Sequence, residues 1–203
     1  MPFKKLHPDI QEKLESLEII TPTSFQRKSI PVIKSGANVF CTASKGSGKT
    51  TTLILTTLQK LKCEVVGNAP RAIILVENKD RALELYDAFS SFAKYNSLRV
   101  YASHEHLHID MQRSEIFVGV DILISTPKTL NKLFLLNGVN TSQLMMFSID
   151  DAEFLVQQSA YAALMSISES VKKCQYVLYS EKMNPKLKRF ESYFMEHSRI
   201  ITA

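Results

Sequence analysis

Cysteine is scarce in this chain of 203 residues: Cys41, Cys63 and Cys174 are widely spaced, odd in number and form no Cys-x-x-Cys pair. That pattern excludes a disulfide framework and a cysteine-based zinc site, so all three read as reduced core thiols. Long apolar runs are missing as well. No stretch approaches the roughly 18 consecutive apolar residues of a membrane span. The opening MPFKKLHPDIQEKLESLEII has neither the apolar core nor the small-residue cleavage site of a secretory signal. A cytoplasmic protein without a membrane partner is expected. No collagen, coiled-coil or solenoid period occurs, and no low-complexity linker divides the chain.

What is present suits a folded domain. Hydrophobic residues make up 45% and charged residues 22% of the chain, which argues against wholesale disorder. The length allows one domain with a sizeable core, so residues 1–203 are read as one unit. A net charge of +5 favours polyanionic partners such as nucleic acid.

Apolar runs and helical patterns alternate along the chain. LHPDIQEKLESL and SFQRKSIPVIKSG read as two helices, the second stopped by Gly36. ANVFCTA reads as a strand feeding a glycine loop and a helix through KTTTLILTTLQKLK. RAIILVE is a second strand, followed by a helix through DRALELYDAFSSFAKY. LRVYAS, VDILIST, LMMFSID and CQYVLYS are further strands, with SRIIT as a last one. Buried strands separated by helices imply an α/β three-layer domain, its sheet mostly parallel and covered on both faces. Ligands then bind at the carboxyl ends of the strands.

ASKGSGKT, Ala43 to Thr50, carries the chemistry of a phosphate loop. Gly46 and Gly48 let backbone N–H groups turn inward around Ser44, Lys45 and Ser47. Lys49 can reach β and γ phosphates, and the Thr50 hydroxyl can bind Mg²⁺. A nucleotide hydrolase also needs a carboxylate at the end of a neighbouring buried strand. LMMFSIDD supplies Asp150 and Asp151 at such an end, as metal ligands or as a helix N-cap. His104, His106 and His108 have no cysteine partner and read as a solvated loop.

Taken together, these segments resemble the first RecA-like domain of the DEAD-box ATP-dependent RNA helicases. The resemblance covers almost the whole chain. The family loop commonly begins with alanine, A-x-x-G-x-G-K-T, which Ala43 to Thr50 match. TPTSFQ resembles the Q motif, so residues 1–36 become a Q-motif helical region and Gln26 the reader of the adenine edge. Phe3 is then either the aromatic that stacks on adenine or a core anchor of the first helix. ENKDRA stands where the family has P-T-R-E-L-A, which places Asn78 and Lys79 at RNA-contacting positions. Lys79 keeps the charge but lacks the planar fork of arginine. Ser103 and His104 replace the family's glycine pair. ISTPKT keeps Thr126 and Pro127 of T-P-G-R, as RNA contacts or as a helix start.

The family's D-E-A-D reads Asp150, Asp151, Ala152, Glu153. The resemblance gives Asp150 the Mg²⁺ role and Asp151 that of the glutamate that activates water, one methylene shorter. Phosphoryl transfer depends on placement, and a shift near 1 Å costs on the order of 100-fold, so slow or absent hydrolysis is expected. The S-A-T coupling motif reads Ser180, Glu181, Lys182. Glu153 and Lys182 are either an ion pair replacing the family's hydrogen bond or two solvated side chains. The resemblance ends with the chain, so the arginine finger and the other half of the RNA groove are expected from a second RecA-like lobe or a partner protein. Two functions remain open: an ATP-binding, Mg-dependent helicase half that binds RNA weakly, and a non-catalytic nucleotide- or RNA-binding scaffold.

Overall fold

The computed structural model describes residues 3–93, 97–171 and 173–203. Seven strands form one sheet: β1 (Val39–Thr42), β2 (Ala72–Leu75), β3 (Val100–Ser103), β4 (Ile122–Ser125), β5 (Met146–Ile149), β6 (Gln175–Ser180) and β7 (Arg199–Thr202). Their order is β3-β4-β2-β5-β6-β1-β7, and every pairing is parallel. The helices are α1 (Pro8–Ser16), α2 (Ser24–Lys34), α3 (Lys49–Lys60), α4 (Lys79–Ala93), α5 (Ile109–Val118), α6 (Pro127–Leu135), α7 (Gln158–Ser170) and the short α8 (Pro185–Lys188). The expected helix through DRALELYDAFSSFAKY forms as far as Ala93; its last two residues, Lys94 and Tyr95, lie outside the described residues.

Each element follows from its residues. β1, β2, β4 and β5 are buried throughout, as parallel strands covered on both faces must be. Alternate side chains serve two cores: Val39 and Cys41 pack with α1 to α4, whereas Phe40 packs with α6 and α7 on the other face. α2 starts at Thr23, whose hydroxyl accepts from the Gln26 backbone N–H while the Gln26 side chain accepts from Thr23 N–H. This capping box satisfies two donors that a helix start otherwise leaves unpaired.

Strand order positions the site. β6 lies between β1 and β5, so the loop after β1 and the acids after β5 open at the same edge of the sheet. β2 lies directly beside β5, with Leu75 opposite Ile149, so the start of α4 faces Asp150. No helix among the described residues is long and apolar enough to cross a membrane.

Candidate nucleotide site and RNA face

The loop from Ala43 to Gly48 joins β1 to α3. Gly48, at the N-cap of α3, has φ of +95°, and a Cβ there would stand 2.7 Å from the Gln26 amide nitrogen. Only glycine meets both demands without strain. Gln26 is thereby packed against the loop, buried, with its amide oxygen 2.9 Å from Thr23 N. The Thr23 hydroxyl donates to the Ser47 carbonyl at 2.7 Å, a second tie between the segment before α2 and the loop. Phe3, in an N-terminal 3₁₀ turn, is buried in the core of α1 to α4.

Lys49 is 6% exposed and donates to the carbonyls of Ala43 at 2.8 Å and Ser44 at 3.2 Å. Its ammonium lies 3.9 Å from an Asp151 carboxylate oxygen. Lys49 and Asp151, a hundred residues apart in sequence, therefore share one cleft of about 570 Å³. Lys45, Gly46, Thr50, Arg81, Asp151 and Glu153 are among its lining residues. Asp151 sits in the left-handed region, at φ 44° and ψ 62°, an uncommon conformation for a residue other than glycine, and its carboxylate lies 3.9 Å from Arg81 Nη2 as well. It stands at the N-cap of a 3₁₀ turn, Ala152–Val156, but makes no side-chain cap bond.

Asp150 is 1% exposed, and its partner is a residue that sequence reasoning missed. Arg81, on the first turn of α4, donates to Asp150 Oδ2 from Nε at 2.8 Å and from Nη2 at 2.6 Å. The same Nη2 donates to Thr50 Oγ1 at 2.8 Å, and Nη1 reaches Glu84 at 3.1 Å. Asp150 Oδ1 is buried and has no hydrogen-bond partner among the described residues. Burial pushes the Asp150 carboxyl above the usual carboxylate range; Asp151 adds to this, while Arg81 and Lys49 oppose it. Thr50 and Asp150 are hard oxygen donors of the kind Mg²⁺ prefers. Both are engaged by one guanidinium nitrogen, and with Arg81 so placed the pair does not fit a magnesium ion.

The residues expected to meet RNA gather at the ends of β2 and β4, which are paired. Asn78 caps α4, its Oδ1 accepting from Arg81 N at 3.0 Å, and Lys79 is half-buried beside it. Thr126 and Pro127 are buried. Thr126 occupies the N-cap of α6 without a side-chain cap bond; its hydroxyl donates to Glu105 at 2.8 Å. The histidine segment departs from expectation. His106 and His108 are exposed, but His104 is buried, because Gln112 clamps the turn: its Oε1 accepts from Ser103 Oγ and His104 N, and its Nε2 donates to the carbonyls of His104 and Leu107. Burial lowers the His104 pKa, helped by Lys79 and His106.

The Glu153–Lys182 pair is not formed. Among the described residues no ion pair joins them; the Glu153 carboxylate instead accepts from the backbone N–H of Glu181 at 2.5 Å, and Lys182 is exposed. The chain turns after β6 so that a main-chain donor reaches the carboxylate first. Ser180, at the end of β6, is buried, with a hydroxyl that has no partner among the described residues.

A strand, a glycine loop, a helix beginning with lysine and an acid ending another strand of a parallel sheet define a P-loop nucleotide-binding domain. The DEAD/DEAH box helicase family model matches residues 23–190, and the chain belongs to that family. It is 26% identical over 201 residues to the ATP-dependent RNA helicase DeaD of Buchnera aphidicola, covering 98% of this chain and 33% of that protein. It is 30% identical over 181 residues to the pre-mRNA-processing helicase prp-5 of Neurospora crassa, covering 86% of this chain and 15% of that one. In fold it is similar to a DEAD box protein from Methanococcus jannaschii, with a TM-score of 0.89 and 21% identity over 98% of this chain and 54% of that one. The ADP-bound helicase Prp28 of Chaetomium thermophilum gives a TM-score of 0.84 at 20% identity, over 97% of this chain and 48% of that one. The chain thus spans a third or less of these two curated relatives. Members of the family use ATP, generally with Mg²⁺, bind RNA and have a second RecA-like domain.

Proposed function

We propose that this chain is the ATP-binding half of a DEAD-box-type RNA helicase. On this reading it binds ATP through the Ala43–Thr50 loop and contributes one side of an RNA groove. Alone it hydrolyses slowly or not at all and does not separate strands. The observation that carries the reading is that Lys49 and Asp151 line one cleft beside the glycine loop, with Asp150 buried behind it on Arg81. On the same reading Gln26, which packs on Gly48, is assigned to read adenine. Slow turnover follows from Asp151, whose carboxylate is one methylene shorter than the family's glutamate, and from the lack of an arginine finger within these residues. In related nucleotide hydrolases that finger is worth about 10³ to 10⁵ in rate. A second lobe, on the same polypeptide or on a partner, would supply it.

Calorimetry tests the reading directly. ATP and ADP are expected to bind wild type, Lys49→Ala to abolish binding, and Gln26→Ala to erase the preference for adenine over guanine nucleotides. Binding that survives Lys49→Ala would refute the loop assignment. The scaffold reading is favoured by one contact, the Arg81 grip on Asp150. It is selected if ATP binds while turnover, with or without single-stranded RNA, stays at the Lys49→Ala background.

A further inference from the structure

Arg81 supplies a permanent cation at the place where the family's chemistry asks for a divalent metal. Three geometric facts support this. One terminal nitrogen bridges Thr50 Oγ1 and Asp150 Oδ2, at 2.8 and 2.6 Å. Nε adds a second bond to the same carboxylate oxygen, so two donors of one guanidinium converge on Oδ2. Its backbone is fixed too, since its N–H is held by Asn78 at the N-cap of α4. Unlike a histidine or lysine, a guanidinium cannot give up its proton to make way for a metal.

We propose that Arg81 replaces Mg²⁺ in this site, so that the chain binds nucleotide without a divalent ion. This rests on the nucleotide reading above. For Mg²⁺ to take the Thr50 hydroxyl it must displace Arg81 Nη2, the nitrogen that also holds Asp150 Oδ2. Each charge-assisted bond lost corresponds to roughly tenfold or more in an equilibrium constant. The remaining oxygen, Asp150 Oδ1, is buried and unpartnered among the described residues. A metal bound there would stand beside the guanidinium, with like charges facing each other in a partly buried site. The other basic groups of the cleft, Lys45 and Lys49, then share with Arg81 the neutralisation of the phosphate chain. Without a metal bridging the phosphates the attacking and leaving oxygens lose one of their clamps, so metal-free binding also favours retention of nucleotide over turnover.

The test is isothermal calorimetry of ADP with wild type, Arg81→Leu and Arg81→Lys, each in EDTA and in excess Mg²⁺. Wild type is expected to bind with a Kd that differs less than about threefold between the two buffers. Arg81→Leu, which leaves Thr50 and Asp150 to each other, is expected to bind at least about tenfold tighter with Mg²⁺ than without. Arg81→Lys keeps the charge without the fork and is expected to fall between them. Wild type binding at least tenfold tighter with Mg²⁺, with the ratio unchanged in Arg81→Leu, overturns the proposal and leaves the nucleotide reading intact. Folded wild type that binds no nucleotide in either buffer overturns both. Should Arg81→Leu fail to fold, the wild-type ratio and the Arg81→Lys ratio decide.

Discussion

Glu105 shows how a single side chain can change the character of a surface. It stands just beyond β3, one strand over from the end of β4, and takes the Thr126 hydroxyl at 2.8 Å. On the reading that Thr126 contacts RNA, its hydroxyl is thereby committed to a carboxylate that repels phosphate. Near a solvent-exposed surface such a repulsion amounts to about 1 kcal/mol. Glu105→Gln is therefore expected to tighten single-stranded RNA about three- to tenfold at low salt, with the gain shrinking as salt screens the charge. Fluorescence anisotropy with a labelled RNA reads this out. No change at any salt concentration would mean that RNA does not pass over Thr126. Glu105 and Arg81 were both illegible in the sequence for the same reason. Their partners lie 21 and 69 residues away and are met only because β3 lies beside β4 and β2 beside β5. The loop and the acidic pair were legible because phosphate chemistry constrains neighbouring residues in the chain, and no strand order is needed to see it.

At the level of elements, the strands were legible as short apolar runs, whereas what holds their far ends together was not. Asp121, completely buried just before β4, binds Arg99 from β3's approach at 2.9 Å and Arg71 from β2's approach at 3.2 Å. It thus ties three neighbouring strands at the edge of the sheet opposite the cleft, which frees the other ends to vary. Burial pushes the Asp121 carboxyl up, but the bonds and charges of Arg99, with Arg71, outweigh it and hold the group below its ordinary value. A carboxylate with a depressed folded pKa contributes stability that is complete above its unfolded value, near 4, and is lost as the pH falls toward the folded value. Wild type should therefore lose stability steeply below about pH 4. Asp121→Ala leaves Arg71 without its buried counter-charge and is expected to cost about 3–5 kcal/mol at pH 7, with a shallower acid limb. Urea denaturation at a series of pH values measures both. An unchanged midpoint at pH 7 would show that the arginines find solvent instead.

Across the whole molecule, the N-terminal segment is the piece whose role sequence alone left open, since Phe3 could anchor a core or face a ligand. Phe3, Leu6, Ile10 and Leu14 join the same apolar layer as α3 and α4, and His7 N–H donates to the Gln59 side chain of α3 at 2.7 Å. With the Thr23 bond to Ser47, residues 3–36 are tied both to the core and to the phosphate loop. They should therefore melt with the sheet and not ahead of it, in one transition that far-ultraviolet circular dichroism and tyrosine fluorescence report at the same temperature. Phe3→Ala removes a large apolar side chain near a terminus that can partly collapse, so a loss of about 2–3 kcal/mol is expected, toward the low end for such truncations. For a chain of this size that is a fall of roughly 5–10 °C in Tm, still in a single step. An early transition confined to the helical signal, with the fluorescence midpoint unmoved, would show that the segment folds on its own account. The loop would then hold its shape without it, and Gln26 could not owe its place against Gly48 to the N-terminal core.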